Sequence, residues 1–143
     1  MTDLHLNEDC IFCKIIRGEI PSFKLYDDDL TYAFMDINPL NDGHALVIPK
    51  CHVENIHSTP DEWFRPIMST VRRIATAVNE VVQPEGINLL QANGPGAKQS
   101  VFHFHMHVIP RYAEDGAGMN WEMKPGDMGA IGELAERIAA AVD

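Results

Sequence analysis

Residues 102–108 read Phe-His-Phe-His-Met-His-Val, and this alternation of apolar and imidazole side chains decides how the chain is interpreted. Successive side chains of a strand point to opposite faces, so the pattern predicts a strand over residues 101–109 whose apolar members face a core. These are Phe102, Phe104, Met106 and Val108. The three histidines, His103, His105 and His107, would share the other face, roughly 6–7 Å apart. Three of the seven histidines of the chain in this register are hard to explain as surface residues.

Two kinds of chemistry fit such a histidine platform. Histidines at i and i+2 can face one metal ion. A neutral imidazole is also a good nucleophile near pH 7, which suits covalent catalysis on phosphorus. The flanks favour phosphorus, because Gln99 and Ser100 offer an amide and a hydroxyl, and Asn93 precedes a Gly-Pro-Gly turn that a ligand can approach closely. Neither a P-loop nor a Gly-x-Gly-x-x-Gly motif occurs in the sequence.

The rest of the chain predicts an α+β fold, with an approximately five-stranded antiparallel sheet, one long helix and a shorter C-terminal helix. Thr59 is expected to cap the long helix, and Pro66 to kink it or to mark a second start. Asp127 is expected to cap the last helix, whose apolar face comprises Ile131, Leu134, Ala135, Ile138 and Val142. The predicted strands cover residues 24–26, 31–35, 44–48, 87–92 and 101–109.

Composition limits the classes of partner and the location. The 143 residues suit one domain, and a net charge of −10 argues against a nucleic-acid polymer as ligand. No apolar run is long enough to span a membrane and the N-terminus does not resemble a signal peptide, so we expect a cytoplasmic protein without a membrane partner. Three cysteines argue against a disulfide framework, and the Cys10-x-x-Cys13 pair is typical of metal or redox sites.

The histidine motif and three further segments resemble the histidine triad (HIT) superfamily, and specifically its Hint-like branch. Residues 10–21 read Cys-Ile-Phe-Cys-Lys-Ile-Ile-Arg-Gly-Glu-Ile-Pro, residues 34–39 read Phe-Met-Asp-Ile-Asn-Pro, and residues 43–50 read Gly-His-Ala-Leu-Val-Ile-Pro-Lys. The resemblance implies a single HIT domain over residues 1–143, with a core of about 10–112 and a C-terminal tail and helix over 113–143. Lys98 departs from the pattern, which usually has Gly before Gln-Ser.

The resemblance also implies an activity and the residues that perform it. Members form homodimers, bind nucleoside monophosphates and cleave at the α-phosphorus through a nucleotidyl-histidine. His105 would be the nucleophile, His107 would face the phosphate and leaving group, and His44 would support the nucleophile. Contacts to a purine nucleotide or its conjugate would come from Ile11, Phe12, Ile15, Phe34, Asp36, Ile37, Leu46, Asn93, Gln99, Ser100, His105 and His107, with Asp36 holding the ribose and little discrimination between adenosine and guanosine.

A structural zinc ion is expected at Cys10, Cys13, His52 and His103, since two cysteines spaced Cys-x-x-Cys can share one ion and Cys₂His₂ is a common closed site. The set resembles the zinc site of galactose-1-phosphate uridylyltransferases, which carry a similar histidine motif. The alternative is that the two thiols simply pack as small apolar groups.

Four functions remain open from the sequence. The first is hydrolysis or transfer at the α-phosphate of nucleoside 5′-phosphoramidates or related nucleotidyl conjugates. The alternatives are a Fhit-like dinucleoside polyphosphate hydrolase, a nucleotide-binding module with little catalysis, and a zinc protein in which all three histidines bind metal.

Overall fold

The computed structural model describes residues 5–118 and 121–142, and it has the predicted α+β architecture. The helices are α1 (Ile11–Ile16), α2 (Phe64–Val82) and α3 (Met128–Ala141). The strands are β1 (Lys24–Asp27), β2 (Thr31–Met35), β3 (Ala45–Pro49), β4 (Gly86–Leu90) and β5 (Met106–Arg111). They form one antiparallel sheet in the order β1-β2-β3-β5-β4, which confirms the predicted fold class.

The turn between β1 and β2 is built by Asp28. Its Oδ1 accepts hydrogen bonds from the backbone N–H groups of Leu30 and Thr31, at 2.9 and 2.8 Å, and closes the predicted hairpin. The middle strand β3 is buried along its whole length because α2 covers one face of the sheet, over Ala45 and Val47, and α1 packs on the other, over Leu46 and Ile48. Along that buried face of α2 lie Ile67, Thr70, Val71, Ile74 and Val78.

The start of α2 differs from the prediction. The helix begins at Phe64, after a short 3₁₀ turn at Asp61–Trp63, so Pro66 lies in the first helical turn, where its missing N–H costs no helical hydrogen bond. Pro66 therefore marks a second start and not a kink. The predicted cap at Thr59 was wrong, because its hydroxyl donates to the carbonyl of Asn55 instead, at 2.7 Å.

Strand β5 is shorter than predicted, and this changes the position of the histidines. It begins at Met106, so His103 and His105 lie in a bent segment before it. Phe104 and Val108 are buried in the core as expected, but Phe102 is 53% exposed, which corrects its assignment to the core. The backbone N–H of Phe104 bonds the carbonyl of Val53 rather than a neighbouring strand. The predicted alternation nevertheless persists. Phe104, Met106 and Val108 pack in the core beneath α2, whereas Phe12 of α1 contacts His103 and His105, and His105 contacts His107.

The C-terminal helix α3 begins as predicted, with Asp127 accepting a hydrogen bond from the N–H of Ala130 at 2.8 Å. Its apolar face is not packed on the sheet, contrary to the expectation for helices in this fold: Ile131, Leu134 and Ile138 are each at least half exposed. Among the described residues, no helix has the length and apolar character needed to cross a membrane.

Candidate active site and metal centre

A cleft of about 230 Å³ opens between α1, the sheet and the segment that precedes β5. It contains most of the residues predicted to contact a nucleotide: Ile11, Phe12, Ile15, Phe34, Asp36, Ile37, Leu46, Ser100, His105 and His107. Further lining residues were not predicted: Ile20, Pro21, Ser22, Met35, Asn38 and Val101. Ile20 and Pro21 belong to residues 10–21, which carried the family resemblance, so their place in the cleft could have been predicted from that segment.

The apolar part of the cleft is organised around Phe12 of α1. Its ring packs edge-on against Phe34 of β2, with ring centroids 5.4 Å apart, and against His105, at 5.2 Å. An apolar slot walled by aromatic rings next to a few polar groups is typical of small-molecule sites. Helix α1 therefore supplies one wall of the slot through Phe12, and the same ring packs against His105 and restricts its orientation.

The proton position on His105 is set by the main chain. Its Nδ1–H donates to the carbonyl oxygen of His103 at 2.7 Å. A neutral imidazole has one N–H and one lone pair, so Nε2 of His105 carries the lone pair and is the nitrogen available in the cleft. Burial lowers the pKa of His105, which keeps this ring neutral near pH 7. The ring therefore has the form that a nucleophile requires.

The proton position on His107 is set in the same way, through His44. The backbone N–H of Leu40 donates to His44 Nδ1 at 3.0 Å, so the proton of neutral His44 is on Nε2. His44 Nε2–H in turn donates to His107 Nδ1 at 2.8 Å, which leaves His107 with its own proton on Nε2. Burial lowers the pKa of both rings, to about 4 for His107. His107 therefore presents a donor to the cleft beside the lone pair of His105.

Asp36 lies between the cleft and the hydrogen-bond relay from Leu40 through His44 to His107. Its Oδ2 is 3.4 Å from His44 Nε2 and 3.9 Å from His107 Nδ1, and its Oδ1 accepts the N–H of Asn38 at 2.8 Å. A carboxylate has about four acceptor positions, so ribose hydroxyls can still donate to it.

The spacing of Asp36, His44 and His107 would also fit a metal ion, because their ligand atoms lie within 4.8 Å of one another. A metal there would need a lone pair on His44 Nε2. The only lone pair of neutral His44 already accepts the Leu40 N–H, so this trio is better described as a hydrogen-bond relay.

Cys10, Cys13, His52 and His103 converge on one point, as the sequence predicted, with ligand atoms within 4.8 Å of one another. His103 Nδ1 is 3.4 Å from Cys10 Sγ and 3.5 Å from Cys13 Sγ, and His52 Nδ1 is 3.5 Å from Cys13 Sγ. Tetrahedral zinc with ordinary Zn–S and Zn–N bonds requires sulfur–nitrogen separations of about 3.6 Å. The spacing of the four donors therefore fits a zinc ion.

The surroundings of the four donors also suit a metal. His103 Nε2–H donates to the carbonyl of Pro49 at 3.0 Å, which leaves Nδ1 unprotonated and directed at the sulfurs. Backbone N–H groups of Asn7 and Cys13 donate to Cys13 Sγ and Cys10 Sγ at 3.3 and 3.4 Å. Burial raises the pKa of Cys13 to about 11, so the thiolate form needs a nearby cation. Cys51 is buried outside this cluster.

Two residues predicted to contact phosphate have other partners. Asn93 Oδ1 accepts the N–H of Ile56 at 2.8 Å, and Gln99 bridges the N–H of Gly94 and the carbonyl of Glu54. Neither lines the cleft. They shape the loop that presents Ser100, which does line it, and Lys98 in the same loop adopts a left-handed conformation with φ of 59°.

Comparisons with known proteins agree with this geometry. The HIT domain family model matches residues 17–114. "Protein hit" of Bacillus subtilis is 46% identical, over 96% of this chain and 100% of its own length. The adenosine 5′-monophosphoramidase HNT1 of Candida albicans is 42% identical, over 90% of this chain and 88% of its own. Such relatives support a hydrolase of the HIT type that acts on nucleotides.

Solved structures of histidine triad proteins also resemble this chain. A crystal structure of a HIT family member from Bacillus subtilis matches with a TM-score of 0.88 and 43% identity, over 95% of this chain and 99% of that one. A zinc-bound histidine triad family protein from Mycobacterium smegmatis matches with a TM-score of 0.71 and 34% identity, over 92% of this chain and 97% of that one. With the histidine relay, the apolar cleft and these likenesses in agreement, the chain belongs to the Hint-like branch of the histidine triad superfamily.

Proposed function

We propose that the protein cleaves nucleoside 5′-phosphoramidates, or related nucleotidyl conjugates, at the α-phosphorus through a nucleotidyl intermediate on His105. The observation that carries this proposal is the pair of opposite proton positions in the cleft. His105 offers a lone pair on Nε2, and the neighbouring His107 offers a proton on Nε2. An attacking nitrogen and a proton donor side by side are what substitution at phosphorus with an amine leaving group requires.

The reaction would proceed in two balanced steps. His105 Nε2 forms a bond to phosphorus while the bond from phosphorus to the leaving nitrogen breaks. Bound phosphate stabilises the protonated form of His107, which delivers a proton to the departing amine. Water then attacks phosphorus, the bond to His105 breaks, and the proton of the water returns to His107. Ser100 and the donors around the phosphate stabilise the charge that develops.

The cleft favours this substrate class over dinucleoside polyphosphates. The described residues that line it include one carboxylate, Asp36, and neither Lys nor Arg. A polyphosphate leaving group carries several negative charges and would meet no compensating cation in the wall of the cleft. HNT1 of Candida albicans, by its name, acts on adenosine 5′-monophosphoramidate. The apolar slot recognises the base by shape, so we expect adenosine and guanosine substrates to be used comparably.

We further propose that Cys10, Cys13, His52 and His103 hold a structural zinc ion in the functional protein. The support is the match of the sulfur–nitrogen distances to tetrahedral coordination and the orientation of His103 by Pro49. When bound, zinc would supply no chemistry to the substrate. It would tie α1 to the segments that carry His52 and His103.

The nucleophile is tested by His105→Ala. We expect turnover of adenosine 5′-phosphoramidate to fall on the order of 10³-fold or more, while binding of adenosine 5′-monophosphate, measured by calorimetry, persists. Acid quenching of the unaltered protein during turnover should trap a nucleotidyl adduct on a peptide containing His105. Turnover near the original rate in His105→Ala would exclude the mechanism.

A further inference from the structure

Asn41 fastens the loop of residues 37–43 to the C-terminal end of β5. Its Nδ2 amide group donates to the carbonyl of Pro110 at 2.9 Å and to Oδ2 of Asp115 at 3.0 Å. In the part of the chain that the structure describes, it is the one side chain of this loop with a hydrogen bond to a residue beyond position 44. The anchor matters for the site because the same loop carries Leu40, whose N–H fixes the proton of His44.

Asp115 is held firmly where Asn41 meets it. Its side chain is only 5% exposed. The carboxylate accepts N–H groups from Arg111, at 2.7 and 3.1 Å, from the backbone of Tyr112 and Ala117, at 3.1 and 3.0 Å, and from Asn41. These donors, the Arg111 guanidinium first, hold the pKa of Asp115 well below its usual range, so the group stays charged. A carboxylate has about four acceptor positions, so these donors occupy it fully and it acts as an anchor.

The anchor is connected to His44 through two consecutive residues. The backbone carbonyl of Asn41 accepts the N–H of His44 at 3.1 Å, and the N–H of Leu40 donates to His44 Nδ1 at 3.0 Å. Gly43 lies close against β5, since a Cβ atom there would come within 3.2 Å of the Pro110 side chain. A displacement of Asn41 therefore withdraws the N–H group that requires a lone pair on His44 Nδ1.

We propose that Asn41 and Asp115 are positioning residues for the proton that His107 offers in the cleft. The inference rests on the proposed function, in which His107 protonates the leaving amine. Without the Leu40 N–H at Nδ1, His44 can carry its own proton there and present a lone pair on Nε2. The proton of His107 then moves to Nδ1, where it can donate to that lone pair, and His107 Nε2 no longer offers a proton to the cleft.

The nucleophile does not depend on this anchor. The proton of His105 is set separately, by the carbonyl of His103 at 2.7 Å. Loss of the anchor should therefore impair protonation of the leaving group and spare the attack on phosphorus. A role that was only structural would impair both steps alike.

Two substrates separate these steps. The nitrogen of adenosine 5′-phosphoramidate needs a proton to depart, whereas the 4-nitrophenyl ester of adenosine 5′-monophosphate releases a phenolate that needs none. We expect Asn41→Ala to lower kcat about tenfold for the phosphoramidate, with KM changed by less than about twofold. For the nitrophenyl ester, both constants should stay within about twofold of the original.

Nitrogen-15 NMR of the imidazoles provides a readout that does not depend on turnover. In the unaltered protein, we expect His44 and His107 to carry their protons on Nε2. Asn41→Ala should add a population of both rings that is protonated on Nδ1. Asp115→Asn is a second variant that releases the same anchor from its other side, because it places an amide among N–H donors, and it should shift both rings in the same direction.

A matched control and a double variant assign the effect to His44. Asp28→Asn also alters a carboxylate that accepts backbone N–H groups, but in the β1–β2 turn. It should lower stability and leave the two substrates and the NMR signals of the imidazoles unchanged. In a His44→Gln background, Asn41→Ala should cause no further loss with the phosphoramidate, because the residue through which it acts is gone.

The outcomes distinguish the anchor from the function. Unchanged turnover in Asn41→Ala, equal losses for the two substrates, unchanged imidazole signals, or a further loss in the His44→Gln background would each overturn the positioning role and leave the proposed function intact. An unaltered protein that does not turn over the phosphoramidate refutes the proposed function, and this inference with it.

Discussion

Lys98 and Gln83 are the two non-glycine residues with positive φ in the described chain, at 59° and 53°. The left-handed conformation places the Cβ of an L-residue close to the backbone, so both positions carry local strain. Gln83 ends α2, whereas Lys98 lies in the loop that presents Ser100. The family pattern has Gly at the position of Lys98, which agrees with this conformation.

We predict that Lys98→Gly raises the free energy of unfolding by about 0.5–1 kcal/mol, because Gly adopts positive φ without strain. The melting temperature should rise by about 3 °C. Gln83→Gly is the matched control for the backbone effect and should give a similar gain far from the cleft. A fall in stability of the Lys98 variant would show that its side chain makes a stabilising contact.

His107 should make stability depend on pH in a defined window. Burial lowers its pKa to about 4, whereas an unfolded histidine titrates near 6.5. Between these values the unfolded chain binds more protons than the native one, so stability is complete above about pH 6.5 and falls as the pH is lowered toward 4. The groups that face its ring are His44, His105 and Asp36, and the carboxylate partly opposes the shift.

We therefore predict that His107→Gln reduces the slope of unfolding free energy against pH between 6.5 and 4. Urea unfolding at closely spaced pH values measures this slope. The control His57→Gln removes an exposed histidine and should keep the original slope. An unchanged slope in the His107 variant would contradict the assigned burial effect.

At the scale of elements, α1 joins the metal cluster to the cleft. It has only six residues, and isolated helices of fewer than about 12–15 residues are marginal in water. Phe12 and Ile15 face the cleft, whereas Cys10 and Cys13 face His103 and the cluster. A metal at the cluster would therefore hold the wall of the base slot, and it would also hold His103, whose carbonyl orients His105.

We predict that the protein contains about one zinc per chain by elemental analysis, and that Cys13→Ser loses it. The melting temperature should drop by more than about 5 °C, and binding of adenosine 5′-monophosphate should weaken because the wall of the slot loosens. Cys51→Ser alters a buried cysteine outside the cluster and should keep the zinc. A zinc-free protein that binds nucleotide normally would refute the role assigned to α1.

The strands and helices followed well from sequence periodicity, but the start of β5 did not. Alternation with period two cannot distinguish a paired strand from an extended segment without strand partners. Residues 102–105 are such a segment, in which the N–H of Phe104 bonds the carbonyl of Val53. In the cleft, both histidines and about half of the apolar residues could be named from motifs, whereas Ile20, Pro21, Met35 and Val101 were not. The partners that set the histidine protons could not, since they are the backbone of Leu40 and the carbonyl of His103.

At the scale of the molecule, the two free edges of the sheet differ in character. Strand β1 carries Lys24 and Asp27, which pair with each other, and Asp27 also pairs with Lys50. Charged edges of this kind resist pairing with another strand. Strand β4 reads Gly-Ile-Asn-Leu-Leu, with Leu89 and Leu90 46% and 40% exposed. The β4 edge is therefore the one suited to the homodimer that the sequence led us to expect.

We predict a dimer of about twice the 16.0 kDa chain in sedimentation at micromolar concentration. Leu89→Glu should shift it toward the monomer, because the substitution places a charge on the uncharged edge. Phe23→Glu, beside the opposite edge of the sheet, is the control and should leave the mass unchanged. A monomer at all concentrations in the unaltered protein would exclude this assembly.

The control of the histidine protons by main-chain groups has a consequence for how this site tolerates mutation. Every amino acid has a backbone carbonyl, so no substitution at position 49 can remove the acceptor that orients His103. At position 40, proline alone lacks the N–H that fixes His44. Random drift at these positions therefore leaves the proton pattern unaltered as long as the chain keeps its path. The path of the loop backbone therefore determines which nitrogen of each imidazole carries the proton.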